Sequence, residues 1–441
     1  IRTGAGRLFI DLAIALTGHR LGGPAKASVV ASAFLGTVSG SAVANVVTTG
    51  SFTIPLMKRL GYRPKFAAAV EACASSGGQI TPPIMGAAAF IIAEFMRVSY
   101  FAVIVAAIIP TLLYFATVYF MVDIEADKDG IERLDKKSLP RAWDVIKKGW
   151  HQIFTLIVLV GLLSVGYSPM MAAFWAIVTL IVLSFREKST RMSPVDLFAA
   201  LESGVRSAMP VTVACACAGI IIGSIFVSGL GLKFTNEVIS MSGGNLFILL
   251  CLTGVAAIIL GMGMTTTAVY ITVAALIVPS LEQIGVSPMA AHMFAFYFGV
   301  VSTITPPVAL ASFAGAAIAG SPPMATAVES ARIGIAKYLV PFVFVYSPAL
   351  IFEGPIWLTI LSTLLAFVGL WGLSMTLEGW YKGPLSPVMR LAIGALSIMS
   401  LMPPMVPRFE GVPGYIMPAV GLIGLAIFVA SRNRLIPQVA R

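Results

Sequence analysis

Gly77-Gly78-Gln79-Ile80-Thr81-Pro82-Pro83 interrupts an apolar run, and Val301-Ser302-Thr303-Ile304-Thr305-Pro306-Pro307 interrupts another at an offset of 305 − 81 = 224 positions. The same ungapped offset maps Thr48 onto Thr272, Pro55 onto Pro279, Gly61 onto Gly285, Pro64 onto Pro288, Ala67 onto Ala291 and Ala87 onto Ala311. The chain therefore contains an internal repeat. Tandem prolines remove two backbone donors and disfavour helix at the preceding threonine, so each copy predicts a helix broken in mid-run. A second interruption precedes each break. In the first copy it is Ser39-Gly40-Ser41-Ala42-Val43-Ala44-Asn45, and in the second Gly261-Met262-Gly263-Met264-Thr265-Thr266-Thr267. A helix over 26–40 is roughly 21 Å long at 1.5 Å per residue, too short for a bilayer core of about 30 Å. Each tip is thus predicted to end a re-entrant helix–turn–helix, and backbone left open at that depth must face protein or a water-filled cavity.

The rest of the composition agrees with a membrane setting. Hydrophobic residues make up 58% of the 441 and charged ones 11%, with a mean hydropathy of +0.95. Full-length spans are predicted over 100–121, 150–167, 170–185, 207–226, 333–352, 356–375, 389–402 and 412–430, which makes the fold class an all-α polytopic membrane protein. The net charge of +10 is read as loop Lys and Arg on the cytoplasmic side. No basic stretch interleaved with aromatics points to nucleic acid. Cys73, Cys215, Cys217 and Cys251 lie in apolar segments without a CxxC pair, so they are read as packing residues. The chain opens at Ile1 without Met or signal peptide, and N-terminal sequence is expected to precede it.

Loop charge orients the copies. Lys58, Arg59, Arg63 and Lys65 follow the first hairpin, whereas the matching loop over 280–289 holds only Glu282. If basic residues mark the cytoplasm, the copies are inverted. Arg186, Lys188, Arg191, Arg332, Lys337, Lys382, Arg390, Arg432, Arg434 and Arg441 then fall inside as the path alternates, with Arg408 beside Glu410 outside. Four regions follow: a first inverted repeat over 1–122, a charged loop with two connecting spans and an amphipathic segment over 123–206, a second repeat over 207–353, and a three-span extension over 354–441. Amphipathic stretches over 193–207 and 322–332 are expected to lie at the interface.

Carbonyl, hydroxyl and amide oxygens at tips and breaks, including those of Ser75, Ser76 and Thr81, suit a hard monovalent cation such as Na⁺. A divalent ion would want carboxylates, and the tips have none. Half-helix N-termini aimed at the midplane favour an anionic group on a substrate. Glu71 is an intramembrane carboxylate. It is expected either to pair with Lys65 or Arg63 near the interface or to face the ion pathway, where it binds protons. His292, which matches Ala68 in the first copy, is expected to be a packing residue.

The stretches over 39–91 and 292–320, SGSAVANVVTTGSFTIPLMKRLGYRPKFAAAVEACASSGGQITPPIMGAAAFI and HMFAFYFGVVSTITPPVALASFAGAAIAG, resemble the large membrane subunit of tripartite ATP-independent periplasmic (TRAP) transporters. The fused form associated with TAXI-type binding proteins is the most similar, and the resemblance covers roughly residues 1–350. It implies Na⁺-driven uptake of organic acids delivered by a periplasmic solute-binding protein, with an elevator-like moving domain. It further implies that small-subunit helices are fused in the expected N-terminal part, and that no cofactor beyond Na⁺ is needed. Carried over by motif, the first Na⁺ site joins Ser39, Gly40, Ser41 and Asn45 to Gly77, Gly78 and Thr81. The second joins Gly261, Gly263, Thr265, Thr266 and Thr267 to Ser302, Thr303 and Thr305. Substrate contacts are expected from Ser41, Asn45, Thr81, Pro82, Thr265, Thr266, Thr305 and Pro306.

Two other classes are weighed. An intramembrane enzyme would need HExxH, GxSxG or paired intramembrane aspartates, and none occurs; no GxxxxGK[ST] signature for ATP occurs either. A channel would conduct without saturating in substrate. A single-component divalent-anion/Na⁺ symporter shares the hairpins and breaks but needs no binding protein.

Overall fold

The computed structural model describes residues 5–131, 133, 139–185, 191, 193–404 and 413–435. The first half comprises α1 (Ala5–Thr17), α2 (Gly23–Ser39), α3 (Ala42–Arg59), α4 (Pro64–Gly78), α5 (Ala88–Met96) and α6 (Tyr100–Lys128). A connecting pair follows, α7 (Ala142–Ser164) and α8 (Pro169–Ser184), then α9 (Pro194–Ser228) and α10 (Leu230–Ser242). The second half comprises α11 (Leu246–Gly261), α12 (Thr266–Gln283), α13 (Pro288–Val301), α14 (Leu310–Ala319), α15 (Pro323–Ile333) and α16 (Ala336–Tyr346). A 3-10 turn, Pro348–Ile351, leads to α17 (Ile356–Glu378), α18 (Pro387–Leu401) and α19 (Ile416–Leu435). By length and composition α6, α7, α9, α12, α17 and α19 are each long enough to cross a membrane.

The 224-residue offset reappears in the elements. Shifting α3 by that amount lands on both ends of α12, and shifting α4 lands on α13 with one residue to spare. Gly61 and Gly285 close the following turns at φ 100° and 93°, and the Pro82–Pro83 and Pro306–Pro307 bonds are both cis. The halves interlock. The short helix after the first break, α5, packs on α12 and α13, while its counterpart α14 packs on α3 and α4.

The charges explain why α2 and α3 form a hairpin rather than a span. Lys26, in the first turn of α2, pairs with Asp123 of α6. Arg63, just past α3, pairs with Glu125 of the same helix and lies 3.6 Å from Asp129. Both open ends of the hairpin therefore sit at one end of α6, and the tip at Gly40 points back into the protein. Gly40 supplies the turn at φ 65°, where a Cβ would be strained.

Small residues set the core. In α4 every residue from Phe66 to Gly78 is buried, and its Ala, Ser and Gly side chains let α2, α3, α14 and α15 approach closely. In α13 every residue from Met289 to Val301 is buried, with Phe294, Phe298 and Phe342 in tilted and edge-to-face contact filling the wider spaces. Large apolar side chains also lie outward, among them Phe52, Leu112, Met170, Phe198, Phe226 and Ile360. In water they would be a liability; against lipid tails they are at home.

Two expected elements come out differently. The stretch over 333–352 is not one span: it breaks at Gly334 and again at Ser347, giving α15, α16 and the 3-10 turn. Gly334 accommodates Ile304, whose Cδ1 would stand 2.6 Å from an added Cβ. The amphipathic stretch over 193–207 is not a separate interfacial helix. It runs without interruption into the following span as the 35-residue α9, started by a Ser193–Asp196 capping box and continuing through Pro210. Arg186, Lys188, Arg408, Glu410 and Arg441 lie outside the described residues, as does the side chain of Arg434.

Candidate functional site

The two hairpin tips meet across a cavity of about 500 Å³. Ser39, Gly40 and Ser41 line it from the first tip, and Gly263, Thr265, Thr266 and Thr267 from the second. Gln79 and Thr303 contribute from the two breaks, and Ser207, Pro210 and Val211 of α9 close one side. Residues more than 200 positions apart thus share one chamber because the repeat folds its two breaks against each other.

Each tip is tied to its own break. Gln79 Nε2 donates to Gly40 O at 3.0 Å, and Thr37 Oγ1 donates to Thr81 O at 2.6 Å. In the second half Ser302 Oγ donates to Gly261 O at 3.0 Å. The halves are then stitched together: Gln79 Nε2 also donates to Thr266 Oγ1 at 2.5 Å, and Ser76 Oγ lies 2.9 Å from Thr303 Oγ1. The pairing of tip 39–45 with break 77–81, and of tip 261–267 with break 302–305, is present as geometry.

The threonines before the prolines act locally. Thr81 Oγ1 donates to Gly77 O at 2.8 Å, and Thr305 Oγ1 donates to Val301 O at 2.6 Å, the same bond displaced by 224 residues. Each hydroxyl back-bonds to the carbonyl four residues earlier, which also accepts the Ile80 or Ile304 N–H, and so holds the last turn closed. Thr305 Oγ1 is also 2.6 Å from Tyr338 Oη. Asn45 is buried and donates from Nδ2 to Ser32 O at 3.0 Å. Asn45, Thr81, Pro82, Thr305 and Pro306 are off the cavity wall in this conformation, whereas Ser41, Thr265 and Thr266 are on it. Gly77 and Gly78 serve close packing: a Cβ on Gly77 would strike the Tyr114 and Phe115 rings, and one on Gly78 the backbone of Gly36.

Helix ends give the chamber two kinds of electrostatics. α3 and α12 begin at it, with Ser41 and Thr265 as N-caps, and their open N–H groups favour an anion. α2 ends at it, and its last carbonyls, each with a second lone pair, favour a cation; α11 ends at Gly261, two residues before the wall residue Gly263, and Gly261 and Ser302 are off the wall. Both preferences within one cavity are what co-binding of an anionic solute and a cation requires. Among the described residues no cluster of three or more His, Cys, Asp or Glu side chains could hold a metal ion.

Glu71 is not where the charge argument placed it. Arg63 pairs with Glu125, and Lys65 reaches Glu329 at 3.6 Å. The Glu71 carboxylate is fully buried between α2, α3 and α4 and accepts from hydroxyls alone. Ser28 and Thr49 are in contact with it, Ser32 donates at 2.5 Å, Thr53 at 2.6 Å and Ser75 at 3.2 Å. Five donors replace the water such a group would otherwise need. Lys337, expected among the cytoplasmic loop charges, is likewise fully buried, with Nζ 2.6 Å from Ser76 Oγ. His292 meets expectation: it is buried, its Nδ1 lies 2.7 Å from Tyr270 Oη, and Phe95 packs beside it.

Sequence reasoning passed over Thr37, Gln79 and Tyr338 as individual residues and misplaced Lys337. Tyr338 was within reach, since the 224-residue offset maps Tyr114 onto it. Lys337 had a signal too, as a cation inside the apolar run over 333–352.

Comparisons with known proteins place the chain among transporters of one family. The family described as "Tripartite ATP-independent periplasmic transporter, DctM component" matches residues 1–355. The C4-dicarboxylate TRAP transporter large permease protein DctM of Pseudomonas aeruginosa is 27% identical over 359 residues, 80% of this chain and 82% of that protein. The 2,3-diketo-L-gulonate TRAP transporter large permease protein YiaN of Escherichia coli is 26% identical over 69% of this chain and 71% of its own length. The isethionate TRAP transporter permease protein DctMQ of Oleidesulfovibrio alaskensis is 23% identical over 72% of this chain and 50% of its own length.

Proposed function

The chain belongs to the DctM-component family of TRAP transporters, and on that premise we propose that it couples inward Na⁺ movement to the uptake of small organic anions. As a family member it is a multi-pass protein of the bacterial inner membrane and a secondary transporter rather than an enzyme, working with a periplasmic solute-binding protein and a small membrane subunit. The finer assignments are our reading: Na⁺ as the coupling ion, an elevator-type movement, a TAXI-type binding protein and fused small-subunit helices. The substrates are read as carboxylates or related organic acids, the class to which the names of the relatives belong.

The observation that carries the proposal is the shared chamber. The carbonyl-bearing end of α2 and the N-termini of α3 and α12 converge on one cavity, to which both tips and both breaks contribute wall residues. A cation bound at the carbonyl ends and an anion at the N-termini would stabilise each other, which is the coupling a symporter needs. A tenfold Na⁺ gradient supplies ~1.4 kcal/mol per ion, and one net charge crossing 100 mV supplies ~2.3 kcal/mol. Two ions are enough to concentrate an anion a hundredfold even without the potential. For loop charge to obey one rule, the repeats are inverted and the turn bearing Arg63 faces the cytoplasm.

Uptake into proteoliposomes tests the proposal. With the binding protein and small-subunit helices supplied, an inward Na⁺ gradient should drive accumulation, and an equal K⁺ gradient should not. Equal uptake in the two gradients would rule out Na⁺ coupling. Full uptake without any binding protein would favour the single-component symporter instead.

A further inference from the structure

Lys337 stands in α16, three residues past the helix-interrupting Gly334, and is fully buried. Its Nζ donates to Ser76 Oγ at 2.6 Å and lies 4.9 Å from the centre of the Tyr114 ring, whose face attracts a cation. Among the described residues no carboxylate forms an ion pair with it. The ion pairs that exist join other residues, and the buried Glu71 carboxylate is occupied by hydroxyls of α2, α3 and α4. A buried lysine without a counter-ion is costly to charge, and an intramembrane lysine placed there despite that cost points to an anionic partner that comes and goes.

Proton bookkeeping shows where that partner sits. An ammonium only donates, so Ser76 Oγ must accept from Lys337. The single proton of Ser76 is then free for Thr303 Oγ1, 2.9 Å away. That leaves the Thr303 proton, which rests on Val300 O at 2.8 Å and can turn into the cavity that Thr303 lines. The first two donors in this row run from the lysine to the chamber wall, each polarised by the one before it, and the Thr303 hydroxyl is the last member of the row. The open N-termini of α3 and α12 face the same space.

We propose that Lys337 is the fixed positive charge that recognises the anionic group of the transported solute, acting through Ser76 and Thr303 at the cavity wall. The inference rests on the transport reading above and deepens it by naming a specificity-determining residue. It also divides the chamber. A sodium ion on the Thr303 hydroxyl would face the ammonium through a single serine, so the cation of the second window belongs on the Gly261 and Ser302 side.

The test uses the purified permease in lipid nanodiscs with Na⁺ present, probed with succinate, 2-oxoglutarate and isethionate. The readouts are the anion concentration giving half-maximal thermal protection, the Na⁺ concentration giving half-maximal protection without anion, and Na⁺-driven uptake after reconstitution. Lys337→Met should raise the half-protecting anion concentration roughly ten- to hundredfold, the loss expected for a hydrogen bond from a charged group. The same variant should leave the Na⁺ response within about twofold, because the cation sits on the other oxygens. Lys337→Arg, which keeps the charge, should recover most of the anion response, and Thr303→Val should reproduce much of the Lys337→Met loss without removing the lysine. A Lys337→Met protein that responds to anion at wild-type concentrations overturns the role of the lysine while leaving wild-type transport intact. So does Lys337→Arg failing as badly as Lys337→Met at an unchanged melting temperature. A wild type that neither binds nor takes up any of the three anions counts against organic-anion transport itself.

Discussion

Gly78→Ala should loosen the first tip from its break, because α2 and α4 touch there without side chains between them. A Cβ placed on Gly78 would lie 2.8 Å from Gly36 C and 3.1 Å from Ser32 O, with Gly36 Cα closer still. All three are backbone atoms of α2, so no rotamer change relieves them. Ordinary contact begins at 3.4 Å, so α2 must retreat by 3.4 − 2.8, about 0.6 Å or more. Overpacking of this kind costs about 1–3 kcal/mol, and Gly78 ends its helix, so little helix propensity is regained. The displaced strip carries Thr37, which holds Thr81 O at 2.6 Å, and Ser32, whose carbonyl takes the Asn45 amide at 3.0 Å. The variant should therefore lose apparent melting temperature and need several times more Na⁺ for half-maximal uptake. Gly219→Ala on α9 is the matched control: its Cβ meets nothing within 4 Å, and the change should be neutral or stabilising by up to about 1 kcal/mol. Thermal melts in detergent and Na⁺ titrations of uptake on both proteins decide the matter. A Gly78→Ala protein indistinguishable from Gly219→Ala would refute the close-approach argument.

Three further outcomes follow from the same geometry. Arg332 holds Glu329 at 2.5 Å and the fully buried Glu378 side chain at 2.7 Å, tying α15 to α17. Arg332→Ala should cost about 3–5 kcal/mol by stranding Glu378, and adding Glu378→Gln should recover part of the lost melting temperature; no recovery would mean the ion pair is not the cause. Glu71→Gln brings two N–H donors into a nest of five hydroxyl donors and should destabilise by about 1–3 kcal/mol, read as a lower melting temperature, whereas an unshifted melt would show that the hydroxyls simply turn round. Cysteines introduced at Lys58 and Glu282, both exposed in the last turns of equivalent helices, should react with impermeant reagents from opposite sides of the membrane; labelling from one side would exclude inverted repeats.

The sequence made the architecture legible wherever backbone chemistry leaves a mark. Proline and glycine constrain the chain locally, so the breaks at Pro82 and Pro306 and the tip at Gly40 were visible residue by residue. Side-chain networks were harder to see. The hydroxyls around Glu71 come from Ser28 and Ser32, from Thr49 and Thr53, and from Ser75. Two of those pairs are spaced by four, the mark of one helix face, yet only the fold shows that the faces share a carboxylate. Lys337 was misplaced because loop-charge counting treats every lysine as exposed. The span over 333–352 was misread because its hydropathy is continuous, while the helix breaks at Gly334, against which Ile304 packs, and at Ser347, which precedes Pro348.

The central claim is that one chamber binds a cation and an anion together and moves them as a unit. It is tested most directly by measuring ²²Na⁺ and ¹⁴C-labelled organic anion entering the same proteoliposomes, with the binding protein and small-subunit helices present and the membrane potential clamped at zero. The account predicts that anion addition starts ²²Na⁺ entry, that the two fluxes keep a fixed ratio as the anion concentration changes, and that neither proceeds without the other. Anion accumulation with no ²²Na⁺ entry would contradict it.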